Sequence, residues 1–333
     1  MKTARLIIIG FGVIGRGVAR VITMKHSELM RDYGIDLRVC AICEIDGCLV
    51  NEKGIDLTSA LKRAEEVKLK KHPDWRPMKS LEVIEDVDAD IVLELTPGDI
   101  KSGEPGLSHI TKALMCGKHV VTSNKAPLAL SFSQITGMAK KSNLMLRYEA
   151  TVGGAIPIIN LYRSNLQVNK IHSIYGILNG TSNFILTKMF EEDLVLDIAL
   201  KEAQGLGIAE RDPGYDIDGI DTGLKLVILA NSLMNKKISF KDIKINGIRE
   251  VTPESIELAK KHGFVIKLIG DVSKLEVSPR LIPLNHPLNV SGTLNAVTLD
   301  MDIAGAITLV GHGAGEIETA SSIFSDILDI SRP

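Results

Sequence analysis

The sequence predicts an α/β fold in which a doubly wound domain with a parallel sheet precedes an α+β domain with a mixed sheet. Three observations predict it. From Arg5 to Glu149, short apolar segments alternate with amphipathic helical ones, which is typical of a parallel sheet covered on both faces. Beyond Glu149 the strand segments lengthen and this alternation is lost, which favours a mixed or antiparallel sheet. The length of 333 residues also exceeds that of one average domain.

The first domain is predicted over residues 1–149. Its strands are predicted at RLIII, LRVCAIC, DIVLEL, HVVTS and LMLRYEA, and its helices at 13–29, 57–72, 106–116 and 128–143. The second domain is predicted over 150–304, with long strands at 170–179, 264–274 and 293–302. A return segment at 305–333 carries GHGAG and a helical pattern. We expect it to pack on the first domain, because no low-complexity linker separates the two halves.

Composition and charge disfavour several classes of partner. The 39 Lys and Arg residues balance 41 Asp and Glu residues, and no long run of like charge predicts binding to nucleic acid or to a membrane surface. No apolar run is long enough to span a bilayer or to form a signal peptide. The four cysteines are too few for a disulfide framework. The sequence therefore predicts a soluble, cytoplasmic protein.

The first motif that carries chemistry is GFGVIG, which follows the first predicted strand and begins the first predicted helix. It consists of Gly10, Phe11, Gly12, Val13, Ile14 and Gly15. This context is that of a Rossmann-type dinucleotide-binding fingerprint, in which the glycines allow a tight turn, close approach of a pyrophosphate and packing of helix on strand. The phosphates are expected at the helix N-terminus, where free N–H groups favour negative charge. The alternative is a glycine-rich turn that binds nothing.

Glu44 follows the second predicted strand and indicates which dinucleotide binds. An acidic residue there accepts hydrogen bonds from the ribose hydroxyls and repels a 2′-phosphate. NAD is therefore the predicted cofactor, with NADP as the alternative, since Lys53 is near enough in sequence to reach the site. Glu44 lies 29 positions beyond Gly15, against a usual spacing of about 20, which predicts an extended connection at 25–36.

Thr96 and Lys125 are candidate site residues because each follows the end of a predicted strand. Ligands bind at the carboxyl edge of open α/β sheets. Thr96 is a candidate to line the nicotinamide pocket, and Lys125 is a candidate ligand contact. The alternatives are a plain strand-ending turn and a solvated loop lysine.

The segment at 202–230, EAQGLGIAERDPGYDIDGIDTGLKLVILA, combines acidic residues with an apolar helical run. Its carboxylates between Gly207 and Lys225 are Glu210, Asp212, Asp216, Asp218 and Asp221. Asp221 and Lys225 are four positions apart and share one face of a helix. Their apolar neighbours favour a buried pair, and the alternative is an exposed ion pair after a solvated turn. A buried lysine suits proton transfer, because burial lowers its pKa and its charge stabilises a developing alkoxide.

Seven segments, taken together and in order, resemble homoserine dehydrogenases, which interconvert L-homoserine and L-aspartate 4-semialdehyde on the route to threonine and methionine. They are GFGVIG at 10–15, VVTSNKAP at 120–127, YEATVGGAIPII at 148–159, ILNGTSNFIL at 177–186, EAQGLGIAERDPGYDIDGIDTGLK at 202–225, LNHPL at 284–288 and GHGAGEIETASSIFSD at 311–326. The resemblance covers nearly the whole chain.

The resemblance implies roles for the residues that match these motifs. Lys125 and Lys225 would flank the reacting oxygen, and Asp221 would orient Lys225 or bind the substrate's amino group. It also implies substrate contacts at Gly180, Thr181, Glu210 and Asp216, a cofactor contact at Gly313, and a structural sodium or potassium ion at Glu149, Val152, Gly154 and Ile156, held largely through backbone carbonyls. A homodimer formed through the long strands of the second domain is expected.

Two other functions stay open. One is an oxidoreductase that acts on a different amino-aldehyde or keto acid, and the other is an NAD-binding redox or metabolite sensor without turnover. Lys125 and Lys225 together argue against the sensor, which has no use for two proton carriers. The sequence stops soon after the GHGAG helix, so we expect a short form without a C-terminal regulatory domain and without threonine inhibition through such a domain.

Overall fold

The computed structural model describes residues 2–332. Its strands are β1 Lys2–Ile9, β2 Ile35–Glu44, β3 Gly47–Val50, β4 Trp75–Arg76, β5 Ile91–Glu94, β6 His119–Thr122, β7 Leu146–Arg147, β8 Ile171–Ile177, β9 Lys244–Ile245, β10 Phe264–Asp271, β11 Glu276–Pro283, β12 Leu294–Met301 and β13 Gly305–His312. Its α-helices are α1 Val13–Glu28, α2 Leu57–Glu65, α3 Ser80–Asp86, α4 Gly106–Met115, α5 Lys125–Lys141, α6 Ile158–Leu161, α7 Gly180–Glu191, α8 Leu196–Gly205, α9 Gly214–Ile217, α10 Ile220–Leu233, α11 Pro253–Lys261 and α12 Glu316–Ser331. Within residues 2–332, none of the helices combines the length and the apolar character that crossing a membrane requires.

The chain folds as two compact units. One ends at Thr151 and takes in the C-terminal segment from Gly315, and the other is Val152–Ala314. The sequence predicts these boundaries at 149 and 304, so the second lies ten residues later than expected. The reason is β13, which pairs with β12 along its whole length and therefore belongs to the second unit.

The first unit contains a seven-stranded sheet in the order β4-β3-β2-β1-β5-β6-β7. Five strands are parallel, while β3 and β4 extend one edge in antiparallel pairing. The order runs from β1 to β2 in one direction and from β5 to β7 in the other, so ligands are expected beyond the carboxyl ends of β1 and β5. Helix α12 buries Ala320 and Ile323 in the same core as Leu6 and Ile8. The predicted doubly wound fold is confirmed.

Several elements of this unit differ from the prediction. Helix α2 ends at Glu65 instead of 72, because Val67 has a left-handed φ of 55°, which interrupts a right-handed helix. Helix α5 begins at Lys125 instead of 128, because Asn124 caps it by accepting a first-turn N–H at 3.2 Å and Pro127 is tolerated in a first turn. Strand β7 has two residues where seven were expected.

The second unit contains a six-stranded sheet in the order β13-β12-β8-β10-β11-β9. Its neighbours are antiparallel except β11 and β9, so the sheet is mixed, as predicted. Helix α10 packs closely on one face, where a Cβ added at Gly270 would lie 2.9 Å from Thr222 Cγ2. Side chains alternate along a strand, and on the opposite face Lys267 reaches Asn183 and Thr187 of α7.

Candidate active site

The glycine motif forms the turn from β1 to α1. Gly10 has a φ of 92°, and a Cβ added there would lie 2.9 Å from the Leu95 carbonyl oxygen. A Cβ at Gly15 would lie 2.1 Å from the Gly10 carbonyl oxygen, whereas a Cβ at Gly12 would meet no described atom within 4 Å. The turn itself therefore requires Gly10 and Gly15, and Gly12 leaves the approach to the backbone open.

The first turn of α1 is available to an anion. Val13 and Ile14 begin this helix, and Gly12 before them provides no side-chain cap. The N–H groups of a first turn have no partner within their own helix, and together with the helix dipole they favour a phosphate. This geometry supports the predicted position of the pyrophosphate.

Glu44 ends β2 and points its carboxylate at the glycine motif. Its Oε1 accepts the N–H of the buried Phe11 at 3.0 Å. Burial raises the pKa of Glu44, and the Phe11 N–H and the charge of Arg16 act in the opposite direction. A π-helical turn at Leu29–Tyr33 continues α1 before β2 begins, which accounts for the long spacing between the motif and Glu44.

A cavity of about 640 Å³ lies beside Glu44. Its lining includes Phe11, Gly12 and the basic residues Arg16, Lys68, Lys70 and Lys71. Lys70 Nζ lies 2.9 Å from Asp46 Oδ2. Carboxylates suit ribose hydroxyls and basic side chains suit phosphates, so this end of the site offers partners for both. Sequence reasoning named Lys53, which does not line the cavity, and missed the three lysines because it placed them in a helix.

Thr96 and Lys125 follow the carboxyl ends of β5 and β6, which are neighbours in the sheet. Both residues are half-buried. The Thr96 N–H donates to Glu94 Oε1 at 3.2 Å, and Lys125 is the first residue of α5, directly after its cap. Because β5 also pairs with β1, the two residues lie on the same sheet edge as the glycine motif.

In the second unit, Asp221 and Lys225 form a buried ion pair on α10. Lys225 Nζ lies 2.7 Å from Asp221 Oδ2, and both side chains are 9% exposed. Lys225 Nζ also donates to the Leu178 carbonyl oxygen at 2.6 Å. The alternative prediction of an exposed ion pair is therefore wrong. Helix α10 holds the Lys225 ammonium and the Asp221 carboxylate together in a buried position.

Asn179 joins this pair to a third charged group, Asp216. Its Nδ2 donates to Asp216 Oδ1 at 2.7 Å and to Asp221 Oδ2 at 3.0 Å. Burial is the main cause that raises the pKa of Asp216, and the charge of Asp221 adds to it. Sequence reasoning missed Asn179, although its motif, ILNGTSNFIL, was noted. The bridging amide is visible only once the carboxylates are placed.

The remaining predicted substrate residues lie at or near the start of α7. Gly180 begins this helix, and a Cβ there would lie 2.7 Å from the Thr293 carbonyl oxygen. Thr181 Oγ1 donates to the Ile208 carbonyl oxygen at 3.1 Å, which ties the helix to the loop before α9. Glu210 in that loop is exposed, and it takes no part in the hydrogen bonds that join the Asp–Lys cluster.

The residues predicted to hold a monovalent cation belong to both units. Glu149 is buried in the first, and Val152 and Ile156 are buried in the second. Gly154 has a φ of 57°, and a Cβ there would lie 2.5 Å from the Gly313 carbonyl carbon. Within residues 2–332 no group of three His, Cys, Asp or Glu side chains is arranged to hold a metal ion. The predicted cation site relies largely on backbone carbonyl oxygens, as the family resemblance implies.

Comparisons with known proteins agree with the resemblance seen in the motifs. The family descriptions "Homoserine dehydrogenase, NAD binding domain" and "Homoserine dehydrogenase" match residues 10–149 and 157–328. The homoserine dehydrogenase of Methanocaldococcus jannaschii is 48% identical over 329 residues, which cover 98% of each chain. The NAD(+)-dependent homoserine dehydrogenase of Pseudomonas canavaninivorans is 36% identical, over 100% of this chain and 97% of that protein.

A solved structure agrees in fold over the same length. A hyperthermophilic archaeal homoserine dehydrogenase in complex with NADPH superposes with a TM-score of 0.86 at 32% identity, covering 99% of this chain and 98% of that one. Both family descriptions, the full-length relatives and this structure lead to one conclusion. The chain belongs to the homoserine dehydrogenase family.

Proposed function

We propose that this chain interconverts L-homoserine and L-aspartate 4-semialdehyde with a nicotinamide cofactor, and that Lys225 handles the proton. The observation that carries the assignment is the buried Lys225 ammonium, which is 2.7 Å from Asp221 Oδ2 and 2.6 Å from the Leu178 carbonyl oxygen. These acceptors use two of its three N–H donors. The third is left for the substrate oxygen.

The reaction moves a hydride and a proton separately. A bound nicotinamide supplies the hydride acceptor or donor. In the oxidation of homoserine the hydroxyl passes its proton to the neutral Lys225 amine as the hydride leaves, and in the reverse reaction the Lys225 ammonium returns a proton to the aldehyde oxygen. The Lys225 ammonium stabilises negative charge on that oxygen and donates the proton in the reverse direction, while Asp221 fixes its position. Lys125 is proposed as a second cation for the same oxygen.

The substrate's ammonium group is assigned to the acidic turn. Asp216 has a pKa raised by burial and by the charge of Asp221, and a cation beside it would offset both effects. Glu210 is proposed to contribute a second carboxylate to the ammonium. Gly180 and Thr181 are proposed to contact the substrate through the start of α7, where N–H groups suit its carboxylate.

For the cofactor we propose a preference for NAD with NADP accepted. Gly10–Gly15 would hold the pyrophosphate, Thr96 and Gly313 the nicotinamide half, and Glu44 the adenosine ribose. The Glu44 carboxylate favours NAD, whereas Arg16 and Lys68 in the same cavity could neutralise a 2′-phosphate. One relative is named as NAD(+)-dependent, and the archaeal structure is a complex with NADPH.

Three further assignments complete the proposal. Carbonyl oxygens at Val152, Gly154 and Ile156 with Glu149 would hold sodium or potassium as a structural ion. A homodimer would form through the second sheet, whose edge strand β13 exposes Val310 to 51%. Sedimentation of the purified chain, with and without these cations, tests both. A cytoplasmic location remains a prediction from composition.

The test of the reaction is a steady-state assay of homoserine, and of other hydroxy-amino acids, with NAD and NADP. Lys225→Ala is expected to lower kcat by about 10²–10⁴-fold, with cofactor affinity kept. Lys188→Ala is the matched control, because Lys188 also forms an i,i+4 ion pair in this unit, at 2.7 Å from Glu192, but an exposed one. An unchanged kcat in Lys225→Ala removes Lys225 from the mechanism. Tight cofactor binding without turnover of any substrate would favour the sensor.

A further inference from the structure

Glu94 is a buried carboxylate that the assigned site does not use. It ends β5 and is 0% exposed. Its Oε1 accepts the Thr96 N–H at 3.2 Å and also the Thr96 hydroxyl, and its Oε2 lies 3.2 Å from Thr122 Oγ1. The Glu94 carboxylate therefore contacts Thr96, which follows β5, and Thr122, which ends the neighbouring strand β6.

The contact with Thr122 leads to Lys125. Thr122 Oγ1 accepts the Asn124 N–H at 3.0 Å, and Asn124 caps α5, which begins at Lys125. The Glu94 backbone carbonyl takes part as well, because it accepts the Thr122 hydroxyl at 2.9 Å and the Ser123 N–H at 3.3 Å. The direction in which α5 starts is thus set by hydrogen bonds that end on Glu94.

The carboxylate has little freedom to move. His109 Nδ1 lies 3.5 Å from Glu94 Oε1, and His109 Nε2 lies 2.7 Å from Ser80 Oγ. A Cβ added at Gly106 would lie 3.1 Å from Glu94 Oε2 and 2.5 Å from Asn124 Nδ2. Helix α4 therefore packs directly against both groups, and a displaced carboxylate would have no vacant volume on that side.

We propose that Glu94 is a positioning residue that fixes Thr96 and Lys125 together at the carboxyl edge of the first sheet. A carboxylate suits this task because it only accepts hydrogen bonds, and Thr96 and Thr122 both present hydroxyl groups to it. The proposal rests on the roles assigned to Thr96 and Lys125. A shift of about 1 Å in a catalytic group can cost 10²-fold in rate, so loss of this support reduces turnover.

Two isosteric variants test it. Glu94→Gln keeps the shape but turns an N–H₂ group toward one of the two threonines. Thr122→Val removes the hydroxyl that accepts the Asn124 N–H and contacts both the backbone carbonyl and the carboxylate of Glu94. Each is expected to lower kcat by about 10-fold to 100-fold, while the Kd of NAD stays within about threefold because the glycine motif is untouched. Thr136→Val is the matched control, since Thr136 lies on α5, the helix that begins at Lys125, and its hydroxyl donates to the Phe132 carbonyl oxygen at 2.7 Å.

A double-mutant cycle separates positioning from general loss of structure. Thr122→Val is measured alone and in the Lys125→Met background at high enzyme concentration. If Thr122 and Glu94 act through Lys125, the factor by which Thr122→Val lowers kcat is at least about threefold smaller in the Lys125→Met background than in the wild type. Equal losses in both backgrounds, an unchanged kcat, or losses that follow the melting temperature would overturn the proposal. A Lys125→Met variant with wild-type kcat would instead refute the role of Lys125, and the proposal with it, while Lys225→Ala reports independently on the reaction.

Discussion

Lys267 gives a prediction about stability whose size follows from its surroundings. Its side chain lies on the face of the second sheet that carries α7, is 1% exposed, and donates to Asn183 Oδ1 at 2.9 Å and to the Val290 carbonyl oxygen at 2.7 Å. Burial lowers its pKa from 10.5 to about 8, and the charge of Glu191 opposes this only in part. Charging Lys267 in the folded state therefore costs free energy that charging it in the unfolded state does not.

The sign of the pH effect follows from the two pKa values. Below pH 8 Lys267 is protonated in both states, and its penalty is fully present. Between about pH 8 and 10.5 the unfolded chain binds more protons than the folded chain, so the free energy of unfolding rises with pH. The lowered pKa corresponds to roughly 3 kcal/mol in total, and most of this is recovered between pH 7 and pH 10.

The perturbation that isolates this effect is Lys267→Met. Methionine leaves the oxygen acceptors of Lys267 unpaired at every pH. The difference in stability from the wild type at one pH therefore combines the lost hydrogen bonds with the removed cost of charging Lys267, whereas the change of this difference with pH reports only the charging. Urea unfolding followed by circular dichroism at pH 7 and pH 10 is expected to show the wild type gaining roughly 2 to 3 kcal/mol relative to the variant. Fluorescence is less suitable, because Trp75 lies in the other unit. Lys201→Met on the exposed face of α8 is the control, and parallel pH curves for wild type and Lys267→Met would refute the reasoning.

Two further predictions concern the site. In Asn179→Ala, Asp216 loses the amide that lowers its pKa, so the acid limb of kcat/KM for homoserine should move to higher pH. Asn231→Ala, which removes a buried amide on α10 bonded to the Ile238 carbonyl at 2.9 Å, should leave it in place, and an unmoved limb in Asn179→Ala would contradict the bridging role. In Glu44→Ser the ratio of kcat/KM with NAD to that with NADP should fall about 10-fold or more, since a charged acceptor for the ribose is lost. Because burial raises the pKa of Glu44, the wild-type ratio should also fall as the pH is lowered through that pKa. A ratio that stays constant in Glu44→Ser and at low pH would exclude Glu44 as the source of the cofactor preference.

Sequence reasoning recovered what lies within one motif or one helix. The turn at Gly10–Gly15 follows from glycine spacing between a strand and a helix, and the Asp221–Lys225 pair follows from an i,i+4 spacing with apolar neighbours. Glu94 and Asn179 are different, because each acts on residues far away in the chain. Asn179 meets Asp221 across 42 positions, and Glu94 meets Thr122 across 28. The contact of Glu94 depends on which strands are neighbours, and the contacts of Asn179 depend on where α9 and α10 pack. The sequence pattern predicts neither.

The position of β13 shows the same limit. The sequence assigns residues 305–312 to the return segment because of the helical pattern that follows them. An apolar strand carries no signal for which of two sheets it joins, since the backbone of an edge strand in either sheet can pair with it. Pairing with β12 places β13 in the second unit. Of the predicted return segment, the part from Gly315, which contains α12, belongs to the first unit.

Asn124 caps α5 and Asn179 caps α7. Capping alone does not explain why both are asparagine, since aspartate caps a helix equally well. Asn179 must also donate to two carboxylates, which an aspartate cannot do. Asn124 lies beside Glu94, because a Cβ at Gly106 would contact both side chains, and an aspartate there would add a second buried negative charge. Two carboxylates so close do not both ionise readily. A neutral cap therefore lets each helix begin next to a buried carboxylate without placing a second negative charge beside it.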